Sequence, residues 1–159
     1  LLFVDIDCLL YSNVTKNIPK KFQIMATAKI KYLGNLRTEA THTKSGKTFI
    51  TDAPTDNNGK GEAFSPTDTV CAALASCMLT LIGITANKHS FAIGNMAVEV
   101  RKHMASNPRR ISKVEVDVTF TNKEYSDKEK TFMEVAAINC PVAKSLHPDI
   151  EQVVNFNYN

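Results

Sequence analysis

The longest uninterrupted pattern in the chain is residues 65–89, SPTDTVCAALASCMLTLIGITANKH, with no charged side chain between Thr69 and Asn87. Ser65 as N-cap, Pro66 at the first helical position and Asp68 three after the cap predict a helix start with a capping box. Val70, Leu74, Cys77, Leu81 and Ile84 recur at three-and-four spacing, so the apolar face is expected to carry a thiol, Cys77, at its middle. The run is long enough to be weighed as a membrane span. Its Ala, Ser and Thr content, its cap and the amphipathic remainder of the chain favour a buried central helix instead, with no membrane as partner. A helix apolar all round also suggests a second copy that helps to cover it.

Elsewhere the period is two. Residues 26–33 alternate, with Ala28, Ile30 and Tyr32 on one side and Lys29 and Lys31 on the other. Gly34-Asn35 predicts a hairpin turn into 36–42, and 44–47 turns the chain into a third strand at 48–51. Gly46-Lys47-Thr48 ends like a phosphate-binding loop, but Thr41 stands where the first glycine is required and no helix follows. Residues 52–62 form a long polar loop, a kind of segment in which function concentrates. A second pair is expected at 94–105 and 110–121, with Val114, Val116, Val118 and Phe120 inward. Ser126 and Glu129 predict another capping box, with Phe132, Val135, Ala136 and Ala143 on the apolar side of the second helix. Pro141 interrupts that helix, and a restart there leaves Cys140 at the N-terminal end of a short segment, where free N–H groups favour a thiolate. Residues 150–158 read as a last strand. The fold class is α+β: antiparallel sheets with two central helices.

Residues 1–24 do not share these patterns. LLFVDIDCLLY is broken by Asp5 and Asp7 and follows no basic residues, so it fits neither an export signal nor a span. The expected organisation is an extension at 1–24 outside the fold and one domain at 25–159, with Met25 as the expected start. Asn13-Val14-Thr15 matches a glycosylation acceptor, without consequence in the cytoplasm.

Composition narrows the classes further. The 159 residues are 43% apolar and 22% charged, with a net charge of +3. The basic residues are scattered and Arg109-Arg110 is the only arginine pair, which argues against a nucleic-acid partner. Cys8, Cys71, Cys77 and Cys140 show no zinc-type spacing, so free thiols in a reducing cytoplasm are expected. His89 and His147 follow the two helix ends, where the dipole explains them, and no metal or cofactor is expected. Cys71 reads as core filler, and Cys8 is assigned no role.

Cys77 and Cys140 stand apart because of their contexts. Gly61-Glu62-Ala63-Phe64-Ser65-Pro66, then Ala73-Leu74-Ala75-Ser76-Cys77, then Asn139-Cys140-Pro141-Val142 resemble the OsmC/Ohr family, whose members reduce organic hydroperoxides with cysteine thiols. The resemblance covers residues 25–159 and implies an intertwined homodimer. It implies Cys77 as the peroxidatic cysteine and Cys140 as the resolving one. A Cys77 thiolate would attack the peroxide O–O bond and become a sulfenic acid, and Cys140 would close an intramolecular disulfide that a dithiol reduces. The family's peroxidases also place an arginine, oriented by a glutamate, before the first helix. Glu62 matches the glutamate, but no arginine occurs between Arg37 and Arg101, and Arg37 on the second strand is a candidate stand-in or simply an outward-facing residue. The expectation is therefore a cytoplasmic thiol peroxidase. The alternative is an OsmC-like protein without significant peroxidase activity that binds a small apolar ligand near Cys77.

Overall fold

The computed structural model describes residues 25–159. The expectations for residues 1–24, including those for Cys8 and Asn13, lie outside the described residues. The elements are β1 (Ala28–Gly34), β2 (Arg37–His42), β3 (Thr48–Asp52), α1 (Pro66–Lys88), β4 (Asn95–Ser106), β5 (Arg109–Thr121), α2 (Asp127–Ile138), α3 (Pro141–Ser145) and β6 (Glu151–Tyr158), with a 3-10 turn at Thr55–Asn57. The strands form two three-stranded sheets, β1-β2-β3 and β4-β5-β6.

The first sheet is antiparallel throughout, whereas the second is mixed because β6 runs parallel to β5. A wholly antiparallel arrangement was the expectation. The reason for the difference is the connection: α2 and α3 carry the chain back across the sheet, which is the crossover that a parallel partner needs. The inward residues of β5 are those the alternation predicts, with Val114, Val116, Val118 and Phe120 all at 0% exposure. Against them lie Leu74, Met78 and Ile82 of α1 and Met133 and Ala137 of α2.

Both long helices begin as their sequences dictate. The Ser65 side chain accepts from the Asp68 backbone N–H while the Asp68 carboxylate accepts from the Ser65 N–H, and Ser126 and Glu129 repeat the arrangement. The buried face of α1, however, is not the expected one. It consists of Cys71, Leu74, Ala75, Met78, Ile82 and Ala86, while Val70 and Ile84 are exposed. On α2, Met133 and Ala137 are buried and Val135 is exposed. A helix that is apolar on every side gives periodicity nothing to choose between. By length and composition alone α1 could also cross a membrane, and only 33% of its most apolar window is buried within one chain.

The first sheet has an uncovered apolar face. Register places Ile30 opposite Ala40 and Ala40 opposite Phe49, with Tyr32 one pleat along on the same side. Ile30, Tyr32 and Phe49 are 65%, 63% and 51% exposed.

Candidate functional site: a thiol pair and an arginine cradle

The restart predicted at Pro141 occurs. Cys140 is the N-cap of α3, and its sulfur accepts a hydrogen bond from the Ala143 backbone N–H at 3.4 Å. This side chain is fully buried, whereas Cys77 on α1 is only partly buried and packs against the same core. The two sulfurs are close enough to interact, although they make no hydrogen bond of good geometry, and both are free thiols. Burial pushes the Cys140 thiol up, the Ala143 N–H opposes that shift, and the Cys77 sulfur reinforces it. The fold has thus brought together two cysteines that are 63 residues apart in sequence, as 140 minus 77 gives.

Cys71 sits apart from this pair. It is 2% exposed, its thiol is pushed up by burial, and it lies in the floor of a groove of about 490 Å³ together with Glu62, Phe64 and Lys102. It belongs to the core, as its place on the helix suggested. In that groove the Lys102 ammonium bonds to Asp68 Oδ1 at 2.5 Å and Thr67 Oγ1 at 2.8 Å. Burial works to raise the Asp68 carboxyl, but the Lys102 and Ser65 bonds outweigh it and hold the group low.

Glu62 is held at the end of the polar loop by a compact backbone. The Gly59 N–H donates to the Pro54 carbonyl at 3.0 Å, and a Cβ at Gly59 would fall 1.7 Å from the Ala53 carbonyl oxygen, so only glycine fits there. From this position the Glu62 carboxylate meets Arg37. Arg37 Nη2 donates to Glu62 Oε2 at 2.6 Å and to Asp52 Oδ2 at 2.6 Å, while Nε donates to Asp52 Oδ1 at 2.7 Å. Asp52 is 2% exposed and also accepts from the Glu62 backbone N–H at 3.1 Å. The two-pronged Arg37 contact therefore leads in holding the Asp52 carboxyl below its usual range, against burial. Both carboxylates raise the Arg37 guanidinium, which is permanently charged.

Arg37 is consequently not a plain outward-facing strand residue. Glu62 shares its groove with Cys71 and Ala72 in the first turns of α1. Cys77 lies six residues beyond Cys71, about 9 Å further along the axis and about 120° around it. Among the described residues no hydrogen bond joins Arg37 to either sulfur, and Nη1 makes none at all. Asp52 was missed by the sequence reading. Its signal was the hairpin register, which sets Arg37 directly opposite Asp52 as an oppositely charged cross-strand pair.

Residues 59–154 match the family model of OsmC-like proteins. The chain belongs to the OsmC family. Its OsmC fold is shared with a solved protein from Psychrobacter arcticus 273-4, named for osmotic stress induction and detoxification response. The two are 52% identical over 86% of this chain and 98% of that one, with a TM-score of 0.81. The organic hydroperoxide resistance protein OsmC of Legionella pneumophila is 16% identical over 85% and 99% of the two chains, with a TM-score of 0.67. An OsmC-like protein of Mycoplasma pneumoniae is 16% identical over 86% and 98%, with a TM-score of 0.71. None of the curated proteins matches the chain. The expected α+β architecture around two central helices is that of these OsmC and Ohr structures.

Proposed function

We propose that this OsmC protein reduces organic hydroperoxides in the cytoplasm, with Cys77 as the peroxidatic thiol and Cys140 as the resolving one. The observation that carries the reading is the packing of a partly buried Cys77 on α1 against the core cluster that holds the fully buried Cys140 at the α3 N-terminus. The Cys77 thiolate attacks the distal peroxide oxygen, the O–O bond breaks, and the alkoxide leaves as an alcohol after taking a proton. Cys140 then attacks the sulfenic sulfur, water leaves, and a disulfide remains for an external dithiol to reduce. The apolar surroundings of Cys77 suit an organic peroxide better than hydrogen peroxide.

A thiolate in such surroundings needs a cation, and among the described residues of one chain Arg37 bonds only to Asp52 and Glu62. The exposed face of Ile30, Tyr32 and Phe49 supports a homodimer, the assembly the family resemblance implies. In that dimer Arg37 of the partner subunit, held by its own Asp52 and Glu62, supplies the charge at Cys77 through the uncommitted Nη1.

The commitment of Arg37 to Asp52 and Glu62 within one chain also supports a second reading. In it, the OsmC-like protein binds a small apolar ligand near Cys77 without turnover. Peroxide consumption driven by a dithiol separates the two. The wild type is expected to consume an alkyl hydroperoxide, Cys77→Ser to be inactive, and Cys140→Ser to form no intramolecular disulfide. A wild-type rate no faster than that of a free thiol favours the second reading.

A further inference from the structure

The inward row of β6 contains a polar residue. Register sets Gln152, Val154, Phe156 and Tyr158 beside Val114, Val116, Val118 and Phe120 of β5, all fully buried. Val154, Phe156 and Tyr158 pack against the core, as such a row requires, whereas an amide at 152 has to find a polar partner. It finds the carbonyl of Ala143, to which Gln152 Nε2 donates at 3.1 Å. We infer that Gln152 is a positioning residue of the thiol site, holding α3 in the seat where the Ala143 N–H meets the Cys140 sulfur. The inference rests on the proposed function only for the task it gives Cys140.

α3 cannot hold that seat alone. It has five residues, far below the length at which a helix is stable by itself. Its local bonds are short-range: the Lys144 N–H donates to the Cys140 carbonyl at 3.1 Å, and the Ser145 hydroxyl donates to the Pro141 carbonyl at 2.8 Å. The last carbonyls of a helix lack intrahelical donors, and the Ala143 carbonyl is among them. Gln152 supplies a donor from β6, and the Ala143 side chain is itself buried. Both polar groups of residue 143 are thereby engaged, the carbonyl by Gln152 and the N–H by the Cys140 sulfur at 3.4 Å. A shift of α3 that breaks the first bond also moves the donor of the second.

The sign of the effect on Cys140 separates positioning from plain packing. Burial is the main influence that raises the Cys140 thiol, and the Ala143 N–H is the main one that lowers it. Among the described residues the titratable group that acts on this sulfur is Cys77. Losing the Ala143 N–H with packing intact therefore raises the thiol further, whereas a general loosening around α3 admits water and lowers it. Gln152 lies with Met78, Ile138, Ala143 and Val154 in a cleft of about 300 Å³, surroundings that accept an unbranched apolar side chain. Gln152→Met thus removes the donor while nearly keeping the volume.

The test uses full-length reduced protein, isotope-labelled at the cysteine Cβ atoms. The Cβ shifts of Cys140 and Cys71 are followed against pH by NMR for the wild type, Gln152→Met and Gln152→Leu, beside denaturant midpoints. The variant whose denaturant midpoint stays nearer the wild type decides. It is expected to raise the Cys140 titration midpoint by at least about half a pH unit, as loss of a hydrogen bond to a charged group does, and to leave Cys71 where it is. A Cys140 midpoint that is unchanged or lower overturns the inference. So does a Cys71 midpoint that moves with it, because the change is then not confined to α3. Peroxide consumption is measured separately. A wild type that consumes none, while the Gln152 variant shows the shift, leaves the inference standing and removes the proposed function.

Discussion

At the scale of single residues, Asp52 shows most clearly how the candidate site is held. A buried carboxylate without a partner is costly, and here Arg37 satisfies it with two parallel N–H donors while the Glu62 N–H adds a third bond. Asp52→Ala is expected to leave Arg37 held by Glu62 alone and to lower stability measurably. Chemical denaturation measures this, and an unchanged midpoint means the bidentate contact contributes little. The sign of the pH dependence follows from the lowered Asp52 pKa. Its contribution is present above the unfolded carboxylate value of 3.8 and is lost as pH falls through the lower folded value. Asp52→Asn should therefore flatten the acid limb of stability against pH while leaving the region above pH about 6 parallel to wild type. An unchanged acid limb in that variant assigns the acid sensitivity to other carboxylates.

At the scale of elements, the two helix starts carry separable stabilisation. Ser65 is 1% exposed and its hydroxyl also receives a bond from Lys102 at 3.3 Å, so Ser65→Ala removes a cap and leaves the Lys102 ammonium short of one acceptor. A loss of about 1–2 kcal/mol in denaturant midpoint experiments is expected. Ser126→Ala, on an exposed cap, should cost less, toward about 0.5–1 kcal/mol. If the two losses come out equal, the Lys102 contact contributes nothing measurable. Glu129 titrates with this second cap. Backbone and hydroxyl bonds from Ser126, with help from Lys123, push its pKa down to about 2. Its contribution is present above the ordinary 4.5 and is lost between there and about pH 2. A carboxyl titration followed by NMR checks the value, and a Glu129 midpoint above 4 contradicts the capping bonds.

At the scale of the whole molecule, the first sheet is the open question in a single chain. A three-stranded sheet that leaves Ile30, Tyr32 and Phe49 in water lacks the second layer that stable domains need. The protein is therefore expected to sediment at twice its 17.6 kDa chain mass. Phe49→Asp is expected to shift it toward the monomer and, on the proposed function with Arg37 supplied across the dimer, to lower peroxide consumption with it. A dimer that survives this substitution with activity unchanged argues that another surface makes the contact. These outcomes are read together by sedimentation velocity and peroxide consumption on the same samples.

Much of the molecule was legible from local chemistry. Ser65-Pro66 with Asp68, and Ser126 with Glu129, specify helix starts because caps act within one turn, and both capping boxes form. Alternation located the inner face of β5 because a strand with one wet face has only one way to turn. The stop at Pro141 and the placing of Cys140 at a helix N-cap follow from the missing proline N–H. Other features needed the tertiary structure. A helix without polar residues in its middle carries no record of which neighbours it will meet, so the buried face through Leu74, Met78 and Ile82 was settled only by packing. The parallel seat of β6 depends on where α2 and α3 lead the chain. Above all, no local rule relates Cys77 to Cys140, or Arg37 to Glu62. Those contacts join distant segments, and they exist because sheet register and helix packing bring the side chains together.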